Sequence, residues 1–224
     1  MRLTLLCNAG FSLEVPDGIL LIDLPNDVQP PFYQLPETVW QQILNKQPPY
    51  DRVVGFCFTH VHPDHYSSAR METYLKRWPD TLCFVPGSAQ IKGKGNIGPF
   101  SIRFQRIEHA PIPKAPPHVV LMAEADGRAI YFSGDAALEC EKHRKFLEER
   151  SPDVAVWNSM YLSRTDTRAM LNQVSKTNLI CHMPEQSADG AELYWRKLKR
   201  NLERFNHELN SVVIPTQYPF EMEM

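Results

Sequence analysis

Residues 56–65 read Phe-Cys-Phe-Thr-His-Val-His-Pro-Asp-His. The apolar run before them, Val53, Val54, Phe56 and Phe58, is bounded by Asp51 and Thr59 and has the composition of a buried strand. It ends in His60, His62, Asp64 and His65, four metal-capable side chains within six residues. Imidazoles and carboxylates this crowded must pair, protonate or reach solvent, because an isolated buried charge is costly. A divalent metal resolves the conflict, since neutral imidazole nitrogen and carboxylate oxygen are its natural ligands. The competing explanation is a polar loop with coincidental histidines, which average composition seldom supplies.

Around this segment short strands and helices alternate. Residues 3–24 give apolar runs broken at Asn8-Ala9-Gly10 and Pro16-Asp17-Gly18, the pattern of consecutive antiparallel strands. A Pro-rich loop, 25–36, leads to a short helix over 37–46. Met71, Tyr74, Leu75 and Trp78 share one helical face, and Pro79 ends that helix. Residues 82–86 and 100–107 read as strands, with Gly93 to Gly98 as a loop between them. Residues 119–123 and 129–132 form a hairpin around Asp126-Gly127. Then come a charged helix over 138–150, a buried strand over 154–157 and a helix striped by Tyr194, Leu198, Leu202, Phe205 and Leu209. Strand 212–215 closes the chain. The periodicity supports a layered α/β domain, most simply one domain over residues 1–224.

The net charge of −2 gives no whole-chain signal for a nucleic-acid or acidic-membrane partner, so a small-molecule substrate is expected. Acidic residues are interspersed among the basic residues of the last helix, which therefore read as a solvated face. No stretch approaches transmembrane length, and the opening apolar run is too short for a signal peptide. Five cysteines without paired spacing point to a reducing, cytoplasmic setting. Cys57 and Cys181 lie inside apolar runs and read as core.

Four further motifs accompany the H-x-H-x-D-H pattern, one before it and three after it. Leu20-Leu21-Ile22-Asp23 ends a strand in an aspartate, and Ile107-Glu108-His109 and Leu179-Ile180-Cys181-His182 end strands in histidines. Tyr131-Phe132-Ser133-Gly134-Asp135 ends in a second aspartate. With all five motifs in the superfamily's order along the chain, it resembles the metallo-β-lactamase fold superfamily over nearly its whole length. Asn8-Ala9-Gly10-Phe11 is similar to its small ascorbate-6-phosphate lactonase-like subfamily.

The resemblance implies a four-layer αββα sandwich carrying two divalent metal ions, with zinc expected first and manganese or iron as alternatives. It assigns His60, His62 and His109 to one ion, Asp64, His65 and His182 to the other, and Asp135 to a bridge. It implies a hydrolase in which a metal-held hydroxide attacks an ester-like bond, a lactone or phosphoester, with Asp64 also guiding the nucleophile. A nuclease, a mononuclear iron redox enzyme and a non-catalytic metal module are the alternatives. Taken alone, His109, Asp135 and His182 would each be weak signals. Asp23 reads as an anchor behind the ligands. His118 reads as solvent-exposed, and His143 and His207 as surface residues of charged helices. Tyr161 and Arg164 follow strand 154–157. They read either as pocket residues, Arg164 recognising an anion, or as a core tyrosine and the start of a helix.

Overall fold

The structure, a computed structural model, describes residues 1–87, 91–205, 209 and 211–224, and within them the chain forms two sheets. The first contains β1 (Arg2–Cys7), β2 (Gly10–Val15), β3 (Gly18–Ile22), β4 (Val53–Cys57), β5 (Leu82–Phe84) and β13 (Phe220–Glu223), in the order β13-β1-β2-β3-β4-β5. The second contains β6 (Lys92–Ile97), β7 (Phe100–Arg106), β8 (Val119–Ala125), β9 (Arg128–Phe132), β10 (Val154–Asn158), β11 (Thr177–Cys181) and β12 (Val212–Val213). Their order is β12-β11-β10-β9-β8-β7-β6.

Strand alternation divides the apolar side chains between layers. Leu3, Leu5, Leu20 and Ile22 meet Ile102, Leu121, Phe132 and Val156 between the sheets. Leu21, Phe56 and Phe58 point the other way, onto α1 (Glu37–Leu44) and α2 (Ser68–Arg77) through Trp40, Met71 and Tyr74. Met122, Tyr131 and Trp157 cover the second sheet's outer face, packing with residues of α3 (Cys140–Leu147), α4 (Thr165–Val174) and α5 (Glu192–Phe205). The expected αββα layering is therefore present. No helix among the described residues is long and apolar enough to cross a membrane.

Two strands depart from the sequence reading. The stretch expected as a glycine-rich loop is β6, which pairs antiparallel with β7 from Lys92↔Gln105 to Ile97↔Phe100. Glycine weakens a strand by entropy, but here it also makes room: a Cβ on Gly93 would meet the Phe104 ring at 2.6 Å. The lysines of this edge strand suit its position at the end of the sheet. The chain also continues past residue 215 to add β13 beside β1, with Phe220 and Met222 against the core and Glu221 and Glu223 outward.

The parallel pairs β3–β4 and β9–β10–β11 carry the fold's functional consequence, because parallel strands end at the same edge. Asn158 ends β10, and Asp23, His60, Asp135 and His182 follow the C-terminal ends of the other strands.

His143 is fully buried, contrary to the surface expectation, while His207 lies outside the described residues. The α3 face that carries His143 also buries Phe146 and Leu147. The Tyr131 hydroxyl bonds His143 Nδ1 at 2.5 Å, and Nε2 faces the Tyr161 hydroxyl at 2.8 Å and the Ala137 carbonyl at 3.2 Å. One neutral tautomer satisfies the network: Tyr131 donates to Nδ1, Nε2–H donates to Tyr161 and Ala137, and Tyr161 donates to Ala136 O at 3.0 Å. Burial pushes the His143 pKa down to about 4; the Ala137 carbonyl and Glu139 pull upward and Lys142 downward.

The unfolded chain thus binds a proton here below its ordinary value of 6.5, which the folded chain refuses until about pH 4. Stability should fall as pH drops through that window, by up to about 3 kcal/mol from this residue. Denaturant unfolding measured across the window should show this slope, and His143→Gln should flatten it. An unchanged slope in the variant would assign the acid sensitivity elsewhere.

Candidate metal centre

The register of β3 against β4, with Ile22 opposite Cys57, delivers Asp23 beside Thr59. Asp23 takes a left-handed backbone conformation, φ 52°. Its Oδ1 accepts the Thr59 N–H at 2.7 Å, and its Oδ2 accepts the Thr59 hydroxyl at 2.8 Å and His65 Nδ1–H at 2.8 Å. With its hydrogen committed, Thr59 Oγ1 accepts from His60 Nδ1 at 3.0 Å. His109 Nδ1–H donates to the Ala110 carbonyl at 2.7 Å. The hydrogen-bond network thus fixes the tautomers, and each of the three rings presents a bare Nε2.

These three Nε2 atoms are buried and have no hydrogen-bond partner. A buried unsatisfied polar atom costs about 1–3 kcal/mol, so three together need an explanation. They converge on one carboxylate. Asp135 Oδ2 lies 4.0 Å from Nε2 of His60, 3.6 Å from that of His65, 3.7 Å from that of His109 and 3.5 Å from that of His182. The ligand atoms of His60, His62 and His109 lie within 4.8 Å of one another, and so do those of Asp64, His65, Asp135 and His182.

These separations are too long for hydrogen bonds and match donors disposed around cations, since ligands about 2 Å from a tetrahedral metal stand roughly 3.3–3.5 Å apart. The donors form two groups, each able to hold a metal ion, and all seven residues read from the sequence are brought together. His62, Asp64 and His182 are half-buried and form the open side, while His60 and His65 are fully buried.

The second group is drawn from the loops after β4, β9 and β11. His182 adopts φ 61°, donates its N–H to Asn8 O at 3.0 Å, and meets Asp64 Oδ2 through Nε2 at 2.9 Å. The Phe32 ring packs edge-on against it, 5.2 Å between centroids. Asn158, at the end of β10, donates Nδ2–H to Asp135 Oδ1 at 2.7 Å, leaving Oδ2 to face the imidazoles. Asp23 is an anchor and not a ligand, since its oxygens are used by Thr59 and His65.

His118 is a correction. It is fully buried and not solvent-exposed, because it sits between the two loops. Its Nδ1–H donates to Ile107 O at 2.9 Å, and its Nε2 accepts the Asp135 backbone N–H at 3.0 Å. Burial lowers its pKa to about 3, so it stays neutral and keeps that acceptor. Gly134, φ 50°, passes beneath it, and a Cβ there would meet His118 Nε2 and the Thr59 side chain, each at 2.7 Å. Thr59, His118 and Asn158 were not read as functional. Their partners are distant in sequence, so no local motif marks them.

Tyr161 and Arg164 follow the structural alternative. Tyr161 is fully buried and donates to Ala136 O, behind the Asp135 loop. Arg164 is exposed and pairs with Asp166 through Nε at 2.9 Å at the start of α4.

The field of the centre is uneven. Burial and then the neighbouring His65 and His118 hold His60 neutral, well below the ordinary imidazole value. Burial opposes ionisation of Asp135, but His182 and His65 outweigh it and keep the group a carboxylate. His65 also resists charge through burial, yet Asp135 and Asp23 raise its pKa above the ordinary value. A proton on His65 and a divalent cation at its Nε2 are alternative answers to the same negative field.

Gly134→Ala should lower stability by about 1–3 kcal/mol, through left-handed strain and the His118 clash, as read by denaturant unfolding. Asn158→Ala and His118→Ala should each weaken metal binding about 10–100-fold while the fold persists. Competition with a chromophoric chelator measures this, and native affinity in both would remove them from the support of Asp135.

No protein-family model matches the chain, and no curated protein matches it. Solved structures do. An isothiocyanate hydrolase from Delia radicum gut bacteria superposes with a TM-score of 0.68 at 16% identity, covering 100% of this chain and 99% of that one. A possible metal-dependent hydrolase from Veillonella parvula gives 0.70 at 16% identity, with 100% and 99% covered. A metallo-β-lactamase fold protein from Bacillus subtilis gives 0.65 at 13% identity, with 99% and 98% covered. Two sheets between helical layers, with the candidate ligands in the loops after β4, β7, β9 and β11 and neighbours matched from end to end, give this chain the metallo-β-lactamase fold.

Proposed function

We propose that the protein is a two-metal hydrolase that cleaves an ester-like bond, a lactone or phosphoester, in a small molecule. The observation that carries this reading is the convergence of three buried, bare imidazole nitrogens on Asp135 Oδ2, beside a half-buried and solvent-facing Asp64, His62 and His182. A structural metal site closes its coordination with protein ligands, whereas this donor set is open on one side. Bound metal ions would supply an activated water and polarise the substrate oxygen.

The chain's own residues do the rest. Asp23 and Thr59 hold the His60 and His65 rings in the tautomer that presents Nε2. Asn158 and His118 hold Asp135 so that one oxygen faces both histidine groups. Asp64, 2.9 Å from His182 and partly open to solvent, is placed to orient an incoming nucleophile or accept its proton. The full-length neighbours described as hydrolases support the reading. The donors suit zinc first and also manganese or iron. Five free cysteines favour a reducing compartment such as the cytoplasm.

Protein purified without chelator should hold close to two metal equivalents by elemental analysis, and the same sample should turn over members of a lactone and phosphoester panel. A reproducible value near one at saturating metal would sink the two-metal reading. Asp64→Ala and His182→Ala should each lose second-site metal and orders of magnitude in turnover while remaining folded. Asp23→Asn should be milder, with metal affinity reduced about 10–100-fold.

A further inference from the structure

A cavity of about 360 Å³ has Pro184, two residues beyond His182, as one of its walls. Its walls come from the Pro-rich loop after Asp23, the segment after His182, α5 and the crossing from β12 to β13, through Tyr33, Pro184, Trp195 and Tyr218. A β-bridge ties its wall to the centre: Phe32 pairs with Pro184, and the Phe32 ring rests on His182. Tyr33, the next residue, and Pro184 itself line the cavity.

The walls are fixed in place. Tyr33 and Tyr218 stack at 4.3 Å between centroids and 11° between planes. The Tyr33 carbonyl accepts from Asn8 N–H at 3.0 Å, and Trp195 Nε1–H donates to Pro184 O at 3.0 Å. Three half-buried aromatic rings thus border a space whose size suits one small ring system. The charge pattern narrows the occupant. Glu185 is the sole charged side chain among the described lining residues; it accepts a hydrogen bond from Ser187 at 2.6 Å, and no cation faces the space. Anionic groups find no partner here, whereas aromatic faces and amide groups suit a neutral planar ring.

We infer that this cavity is a recognition subsite for an uncharged ring carried on the non-reacting part of the substrate. The inference rests on the hydrolase reading for its catalytic meaning and narrows it to ring-bearing, neutral esters or lactones. Binding energy gained there, away from the reacting bond, would be available to position that bond at the metals.

The test uses the full-length, metal-loaded protein in two arms. Calorimetric titration with indole, a neutral planar probe, should give saturable binding. Ser187→Trp, which fills the cavity from an exposed wall residue, should weaken it at least tenfold, and Tyr218→Ala, which removes the stacked pair, should do the same. Circular dichroism and metal content confirm that each variant is folded and loaded. In the second arm, kcat/KM for γ-phenyl-γ-butyrolactone is divided by that for γ-butyrolactone. The ratio should exceed one in the native protein and collapse at least tenfold in both variants, chiefly through KM. Absent indole binding, or binding unchanged in both folded variants, would overturn the subsite whatever the hydrolytic activity. Indole binding that both variants lose, without turnover of any ester or lactone, would support the cavity as a ring-binding site and count against the hydrolase reading instead.

Discussion

The centre depends on one buried carboxylate that binds no metal itself. Asp23 holds Thr59 and His65 directly, and His60 through the Thr59 hydroxyl. An imidazole is useful as a ligand only if the nitrogen aimed at the metal is unprotonated, and a ring free to tautomerise gives no such guarantee. By accepting the Nδ1 protons, directly or one step removed, the Asp23–Thr59 pair commits both rings. The cost is a left-handed backbone at Asp23 and a charge sealed in the core. Both are tolerable because every oxygen of the carboxylate is occupied.

Asp135 is the counterpart in the second sheet. Its backbone N–H goes to His118, its Oδ1 to Asn158, and its carbonyl to Ala110 N–H at 2.8 Å, so the loop after β9 is tied to the His109 loop and to β10. The next two carbonyls, of Ala136 and Ala137, are taken by Tyr161 and His143 from the outer layer. A chain of satisfied polar contacts therefore runs from the helical layer, through the sheet edge, to the one oxygen facing four imidazoles. Loosening any link moves that oxygen, and geometry at a metal tolerates little displacement.

The candidate ligands were legible in the sequence because they sit in segments that follow apolar strands, and strand ends in a layered α/β domain gather at common edges. The supporting contacts were not. His118 reaches Asp135 across 17 positions and Asn158 across 23, and neither residue type nor spacing announces such a pairing. His143 was misread because charged neighbours on α3 made its helix look solvated, when one face of a short amphipathic helix still packs inward. β6 was hidden by glycines that usually break strands but here admit the Phe104 ring. β13 was missed because four residues with only two inward side chains carry almost no periodic signal.

The proposed recognition walls lie in a different part of the molecule from the candidate ligands. The ligand strands are buried and regular, so they leave little to vary. Arg164, the side chain most suggestive of anion recognition, is already paired with Asp166 and exposed at the start of α4. The surfaces beside the open side of the centre come instead from the segment around Phe32 and Tyr33 and the turn after His182. These segments are fastened to each other, Glu185 N–H donating to Pro31 O at 2.7 Å. Loops so joined can change shape as a unit without disturbing the strands that hold the donors. Such a separation would let one framework of donors serve different substrates, so on the proposed reading the chemistry of the cavity walls, more than the ligand motif, is the guide to what this chain would act on.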